Sequence, residues 1–181
     1  QALQGLRTVI EQYPDSEYAR SSILKFDLAF DHLAGFGMDV DGRPYRSLDD
    51  TLLYCYRVAG VVGLMMAHVM GVRDERVLDR ACDLGIAFQL TNIARDILDD
   101  AAIGRCYVPG DWLASEGVTR TSLSDPARRA ALTRLAARLV DEAEPYYASA
   151  LAGLPALSGR CAWAIASARG VYRRIGIRVK T

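Results

Sequence analysis

Gln89, Asn92, Asp96 and Asp100 stand three, four and four residues apart in the stretch FQLTNIARDILDDAA. At about 100° per residue they fall on one narrow arc of a helix, while Leu84, Phe88, Ile93 and Ile97 point elsewhere. Structure alone gives little reason for such a column, because like charges at i and i+4, here Asp96 and Asp100, weaken a helix by a few tenths of a kcal/mol. A hard divalent cation removes that cost. Mg²⁺ takes one or two carboxylates, keeps some water and completes its shell from phosphate oxygens. The column therefore suits gripping a diphosphate through metal, and Arg95 beside Asp96 can reach a phosphate oxygen directly. An isolated D-x-x-x-D pair is commonly a solvated helix face. The apolar run before this one, the amide at i−4 and the GRCYVP stretch after it set it apart.

The elements that must position this column follow from composition and periodicity. Half the 181 residues are apolar, 51% by count, which is enough to bury the core of one domain. The 22 basic and 22 acidic residues cancel, so no general attraction to nucleic acid is implied. His32 and His68 are the only imidazoles, which excludes a multi-histidine metal site and leaves a hard ion held by oxygen. Cys55, Cys82, Cys106 and Cys161 lie far apart without a C-x-x-C pair and read as reduced packing residues of a cytosolic protein. No signal peptide opens the chain, which begins at Gln1 without a methionine and is expected to be a fragment.

Proline and glycine separate long periodic segments, so the chain reads as all-α. Helices are expected over about 2–12, about 16–36 with an end near Gly35 and Gly37, about 48–70, about 74–101, from Asp125 to about 150 with a bend near Pro145, and about 158–176. Ser47 with Asp50, and Asp125 before Pro126, are helix starts. Residues 39–47 read as a loop and 104–117 as irregular, with one turn near Trp112. Without repeats or linkers, these helices should pack as one bundle. The apolar segment VAGVVGLMMAHVMGV at 58–72 is short of the roughly 20 residues that span a membrane. Its Gly60, Gly63, Ala67 and Gly71 form a small-residue strip, read as close packing against a neighbouring helix and compatible with a wall recessed for a long apolar ligand.

YCYRVAGVVG at 54–63 and FQLTNIARDILDDAAIGRCYVPGDWL at 88–113 closely resemble the two signature regions of the squalene and phytoene synthase family. The similarity extends from DHLAGFGMDV at 31–40 through DEAEPYY at 141–147 to CAWAIASARGVYRRIG at 161–176, in wording similar to the bacterial phytoene synthase branch. The resemblance implies a helical bundle of the isoprenoid synthase type, with residues 1–181 forming a single, truncated trans-isoprenoid synthase domain. It implies a head-to-head prenyltransferase that joins two geranylgeranyl diphosphates to phytoene through a cyclopropyl diphosphate, with Mg²⁺ or Mn²⁺. On matching positions, Asn92 and Asp96 are implied metal ligands and Asp100 a third or water-mediated one. Gln89 and Arg95 match diphosphate contacts; Tyr54, Tyr107 and Tyr172 match tyrosines around the reacting carbons and diphosphates; Arg105 holds the basic position after the acidic helix. Two other readings stand beside this one: a farnesyl diphosphate-using squalene or dehydrosqualene synthase, and a non-catalytic prenyl-lipid-binding relative.

The chemistry suits these residues independently of the family. Breaking a carbon–diphosphate bond leaves an allylic cation and a highly charged leaving group, which metal and arginine stabilise. The cation needs a dry pocket with aromatic faces and no strong nucleophile, a task for tyrosine. Family members carry two aspartate-rich motifs on facing helices, of which only the second is present here. Asp27 and Asp31 in FDLAFD make another i, i+4 pair, read as helix surface or internal hydrogen-bond acceptors. A chain without one metal-binding wall is expected to bind diphosphate weakly and turn over poorly. The expected partner is a prenyl diphosphate rather than nucleic acid, in a cytoplasmic protein whose long hydrocarbon ligands favour loose contact with the inner membrane face.

Overall fold

The computed structural model describes Thr8, Glu11, Gln12 and residues 17–180, with the side chains of residues 17–23 and Phe26 outside that description. Most of the helix expected over about 2–12 therefore lies outside the described residues. Every element after it is helical: α1 (Glu17–Asp41), α2 (Leu48–Cys55), a π-helical segment (Tyr56–Gly60), α3 (Val61–Val69), α4 (Glu75–Ala102), α5 (Gly110–Ser115), α6 (Arg129–Leu151) and α7 (Gly159–Val179). Short 3₁₀ turns cover Arg120–Ser122, Pro126–Arg128 and Leu154–Ala156, and no strand occurs among the described residues.

Cap chemistry sets the helix starts. The Ser47 side chain accepts from the Asp50 backbone N–H, Asp74 from Arg76 N–H at 2.9 Å, and Asp125 from Ala127 N–H at 2.9 Å with Pro126 in the first turn. Each satisfies one of the backbone donors that a helix start leaves orphaned.

The core forms around α4. Leu84, Ala87, Leu90, Ile93, Ala94 and Ile97 are buried on it, and Leu132, Leu135, Leu139, Ala143 and Tyr147 of α6 pack against them. The hydroxyls buried with them are paired: Thr91 Oγ1 donates to Ala87 O at 2.9 Å and lies 2.8 Å from the Tyr147 hydroxyl. Such pairing is what lets polar atoms be enclosed at low cost. α6 continues through Pro145. All four cysteines are free thiols, Cys55 and Cys106 fully inside.

Two elements differ from the sequence expectation. Helix α1 does not stop near Gly35 and Gly37 but continues to Asp41, and the left-handed stop comes at Gly42, with φ of 58°. Gly35 serves close approach: a Cβ there would lie 2.8 Å from Val58 Cγ1 and 3.2 Å from the Arg57 backbone. The loop is correspondingly shorter than 39–47. The second difference lies between α2 and α3, where the expected single helix contains the π turn Tyr56–Gly60. α1 is fastened to this turn, with His32 Nδ1 3.1 Å from Arg57 O and the Tyr56 hydroxyl donating to Asp31 Oδ2 at 3.1 Å. Asp31 is thus an internal hydrogen-bond acceptor, as read from sequence, and Asp27 is exposed.

The small-residue strip is a helix crossing. A Cβ on Gly63 would stand 2.2 Å from Ala81 O, and one on Gly85 2.2 Å from Ala59 O, so α3 and α4 meet backbone to backbone. Gly71, with φ of 89°, turns the chain between them. Because the helix is continuous through the π segment, Leu48–Val69 has the length and apolar composition to cross a membrane, unlike the shorter window at 58–72. Here α4 packs along it.

Candidate active site

The column on α4 forms as its spacing predicts. Asn92 and Gln89 sit at the polar end of a cavity, joined by an Asn92 Nδ2 to Gln89 Oε1 hydrogen bond of 3.4 Å. The Asn92 Oδ1 atom is buried and has no hydrogen-bond partner. Enclosed acceptors in folded proteins are rarely left this way. One turn on, Arg95 holds Asp96 with both forks, Nε to Oδ1 at 2.6 Å and Nη2 to Oδ2 at 2.5 Å. Asp100, half-buried a turn further, has its carboxyl pKa raised first by burial and then by the negative charge of Asp96, with Asp39 adding and Arg105 opposing. Burial and the neighbouring carboxylates thus make the ionised form of Asp100 costly, with Arg95 and Arg105 offsetting part of the negative charge at this end of the column.

Asp39, at the end of α1, was not singled out by the sequence. Its Oδ1 accepts from the Tyr107 hydroxyl at 2.7 Å and its Oδ2 from the Tyr54 hydroxyl at 3.2 Å. The Tyr54 and Tyr107 rings stack at 4.7 Å with 18° between their planes, and Tyr45 closes on both at 5.4 and 5.5 Å. Burial raises the pKa of all three phenols, so they stay protonated and Tyr54 and Tyr107 donate to the carboxylate. Arg105 stands beside this group, its pKa raised by Tyr107 and then Asp39. A sequence signal for Asp39 existed: Asp31, Gly35, Met38 and Asp39 follow the i, i+4, i+7, i+8 pattern of an inward helix face. Ending the helix near residue 36 hid it.

The cavity, about 310 Å³, is walled by α3, α4, the end of α6 with its 3₁₀ turn, and α7. It lies at the small end of the ligand-pocket range and is apolar apart from the end at Gln89 and Asn92 and from Arg80. Tyr172 faces it and stacks on Phe88 at 4.2 Å. The structure thus brings Gln89, Asn92 and Tyr172 to the cavity itself. Asp96, Asp100, Arg95, Arg105, Tyr54 and Tyr107 lie outside its lining but within electrostatic reach of their neighbours in the set, with Arg95 in the field of Tyr172 and Asp100.

No three His, Cys, Asp or Glu side chains among the described residues draw close enough to hold a metal by themselves. The donor set fits a hard ion that needs fewer protein ligands: an unpaired amide oxygen on Asn92, carboxylates one and two turns beyond it, and open positions for phosphate and water. Asp39, on a second helix, has both carboxylate oxygens engaged by the Tyr54 and Tyr107 hydroxyls and reaches the column only through its charge on Asp100.

A family model described as squalene/phytoene synthase covers residues 4–181. A 15-cis-phytoene synthase of Enterobacter agglomerans is 69% identical over 151 residues, 83% of this chain and 51% of that protein. A 15-cis-phytoene synthase of Paracoccus sp. is 59% identical over 83% of this chain and 48% of its own length. A crystal structure of a dehydrosqualene synthase superposes with a TM-score of 0.72 at 31% identity, over 94% of this chain and 65% of that one. The chain spans about half the length of the curated relatives it matches. With the family model matched along nearly its whole length, the chain belongs to the squalene/phytoene synthase family.

Proposed function

We propose that the protein carrying this chain condenses two molecules of geranylgeranyl diphosphate head to head to give phytoene, through a cyclopropyl diphosphate intermediate, in carotenoid biosynthesis. The observation that carries this reading is the buried, partnerless Asn92 oxygen, set at the junction between an oxygen column and an apolar cavity. Relatives 59–69% identical that are named phytoene synthases support the choice of reaction. Residues 1–181 are read as part of one isoprenoid synthase domain.

In this reading Asn92 and Asp96 hold the metal, with Asp100 as a third or water-mediated ligand. Mg²⁺ or Mn²⁺, when bound, neutralises the charge that develops on the departing diphosphate. Gln89, Arg95 and Arg105 contact diphosphate oxygens; Arg95 releases Asp96 to do so. Tyr172, which lines the cavity, offers an aromatic face to the allylic cation, and the buried, stacked Tyr54 and Tyr107 close the region around the reacting carbons and diphosphates against water. The expected setting is the cytoplasm, with loose contact at the inner membrane face where long hydrocarbons partition.

Asp96→Asn in the full-length protein tests the assignment. Phytoene formation from geranylgeranyl diphosphate should fall about 10²–10³-fold, the scale of losing one charge-stabilising group. Unchanged yield would instead favour a non-catalytic prenyl-lipid-binding relative. The likeness to a dehydrosqualene synthase keeps a second reading, in which farnesyl diphosphate is the substrate. Product analysis with each diphosphate separates the two.

A further inference from the structure

The apolar cavity has a measurable length and a bulky end. Its lining on α4 runs from Asn92 back to Val77, fifteen residue steps and hence ~22 Å at 1.5 Å of rise per residue. From the polar end the walls carry Ala59 opposite Gly85, then Gly63 opposite Ala81, where the helices touch. Towards the hairpin at Gly71 the lining includes Met66 on α3, Met70 at its C-cap and Val77 near the start of α4. Both are long, flexible side chains, with Met66 on the rim and 48% exposed.

The length discriminates between prenyl chains. An extended carbon chain advances roughly 1.25 Å per bond, from bonds of ~1.5 Å meeting near 111°. Three prenyl units, about 11 bonds, therefore reach ~14 Å; four, about 15 bonds, ~19 Å; and five, about 19 bonds, ~24 Å. With its diphosphate at Asn92, a four-unit chain fills the cavity, a three-unit chain leaves its end empty and a five-unit chain meets the methionines. We propose that Met66 and Met70 are the chain-length stop of this cavity, admitting a C20 tail and refusing a C25 one. The proposal deepens the prenyl diphosphate reading above and rests on it.

The test uses the full-length protein with C15, C20 and C25 prenyl diphosphates, comparing kcat/KM, and with their unreactive thiolodiphosphate analogues, comparing Kd. In the double variant Met66→Ala, Met70→Ala the preference for C25 over C20 should rise at least tenfold, the scale of removing pocket-filling methylenes. Met66→Phe should shift preference from C20 towards C15 by a similar factor, so a folding defect in one variant leaves the other to decide. Val69→Ala, on the same helix but 80% exposed and outside the lining, should leave both ratios as they are. Ratios unmoved in both folded methionine variants, or moved equally by Val69→Ala, overturn the assignment. Wild-type protein that binds the analogues in the expected order but makes no phytoene overturns the proposed reaction while leaving the stop intact.

Discussion

Arg95 and Asp96 show how a site can be held ready. The pair is bidentate but exposed, with side-chain exposures of 41% and 29%, so its net worth is about 1 kcal/mol or less. A metal alone must displace the guanidinium from Asp96, whereas a metal diphosphate brings a cation for Asp96 and an anion for Arg95 together. Mg²⁺ alone should therefore leave the melting temperature nearly unchanged, and Mg²⁺ with pyrophosphate should raise it, a difference that calorimetry of the full-length protein would record. Asp39 carries a second residue-scale expectation. Tyr54→Phe removes one hydrogen bond at a net cost of about 1 kcal/mol. Asp39→Ala strands two enclosed phenol donors and should cost more, about 1–3 kcal/mol, with a larger loss of turnover; urea midpoints that rank the two the other way would count against the tyrosine–carboxylate cluster as built. The α4 column was legible in the sequence because all its members share one helix and one periodicity. Asp39 was not, because its partners lie 15 and 68 residues away and only the packing of α1 brings them together.

At the scale of elements, the fold depends on two close approaches that side chains would forbid. A Cβ on Gly85 would meet the Ala59 carbonyl oxygen at 2.2 Å and its carbon at 2.6 Å, both backbone and unable to move aside cheaply. Gly85→Ala should destabilise the protein by about 3 kcal/mol, the upper end of ordinary overpacking. Gly37→Ala, with nothing within 4 Å of the added carbon, should instead gain about 0.5–1 kcal/mol from better helix propensity. Denaturant midpoints of the two variants check both signs. Helix starts at Ser47 and Asp125 followed from cap chemistry that is local by nature. The end of α1 and the π turn did not. A glycine reads the same in sequence whether it ends a helix or lets one pass close to a neighbour, and the roughly 100° shift of face that one extra residue brings leaves no mark in a segment as uniformly apolar as VAGVVGLMMAHVMGV. Both features are set by the contact between α1 and the π segment, where His32 and Asp31 meet Arg57 and Tyr56.

At the scale of the molecule, polar and apolar recognition are laid end to end. The acidic column, the arginines and the tyrosine–carboxylate cluster lie at or beyond one end of the cavity, and the rest of its length is almost wholly hydrocarbon. Core truncation away from this axis should affect stability without changing specificity: Leu139→Ala, at a fully buried position on α6, should cost about 2–5 kcal/mol and leave the C20 to C15 ratio untouched, as read from melting curves and competing-substrate assays. Placing the two kinds of contact along one line also makes the binding energy of an amphiphile separable. Shortening an alkyl diphosphate should weaken it by about 0.8 kcal/mol for each methylene withdrawn from the trough, at any ionic strength, while added salt should weaken long and short homologues by the same factor. On the proposed reading, ligands are graded on two independent scales, one of charge and one of length.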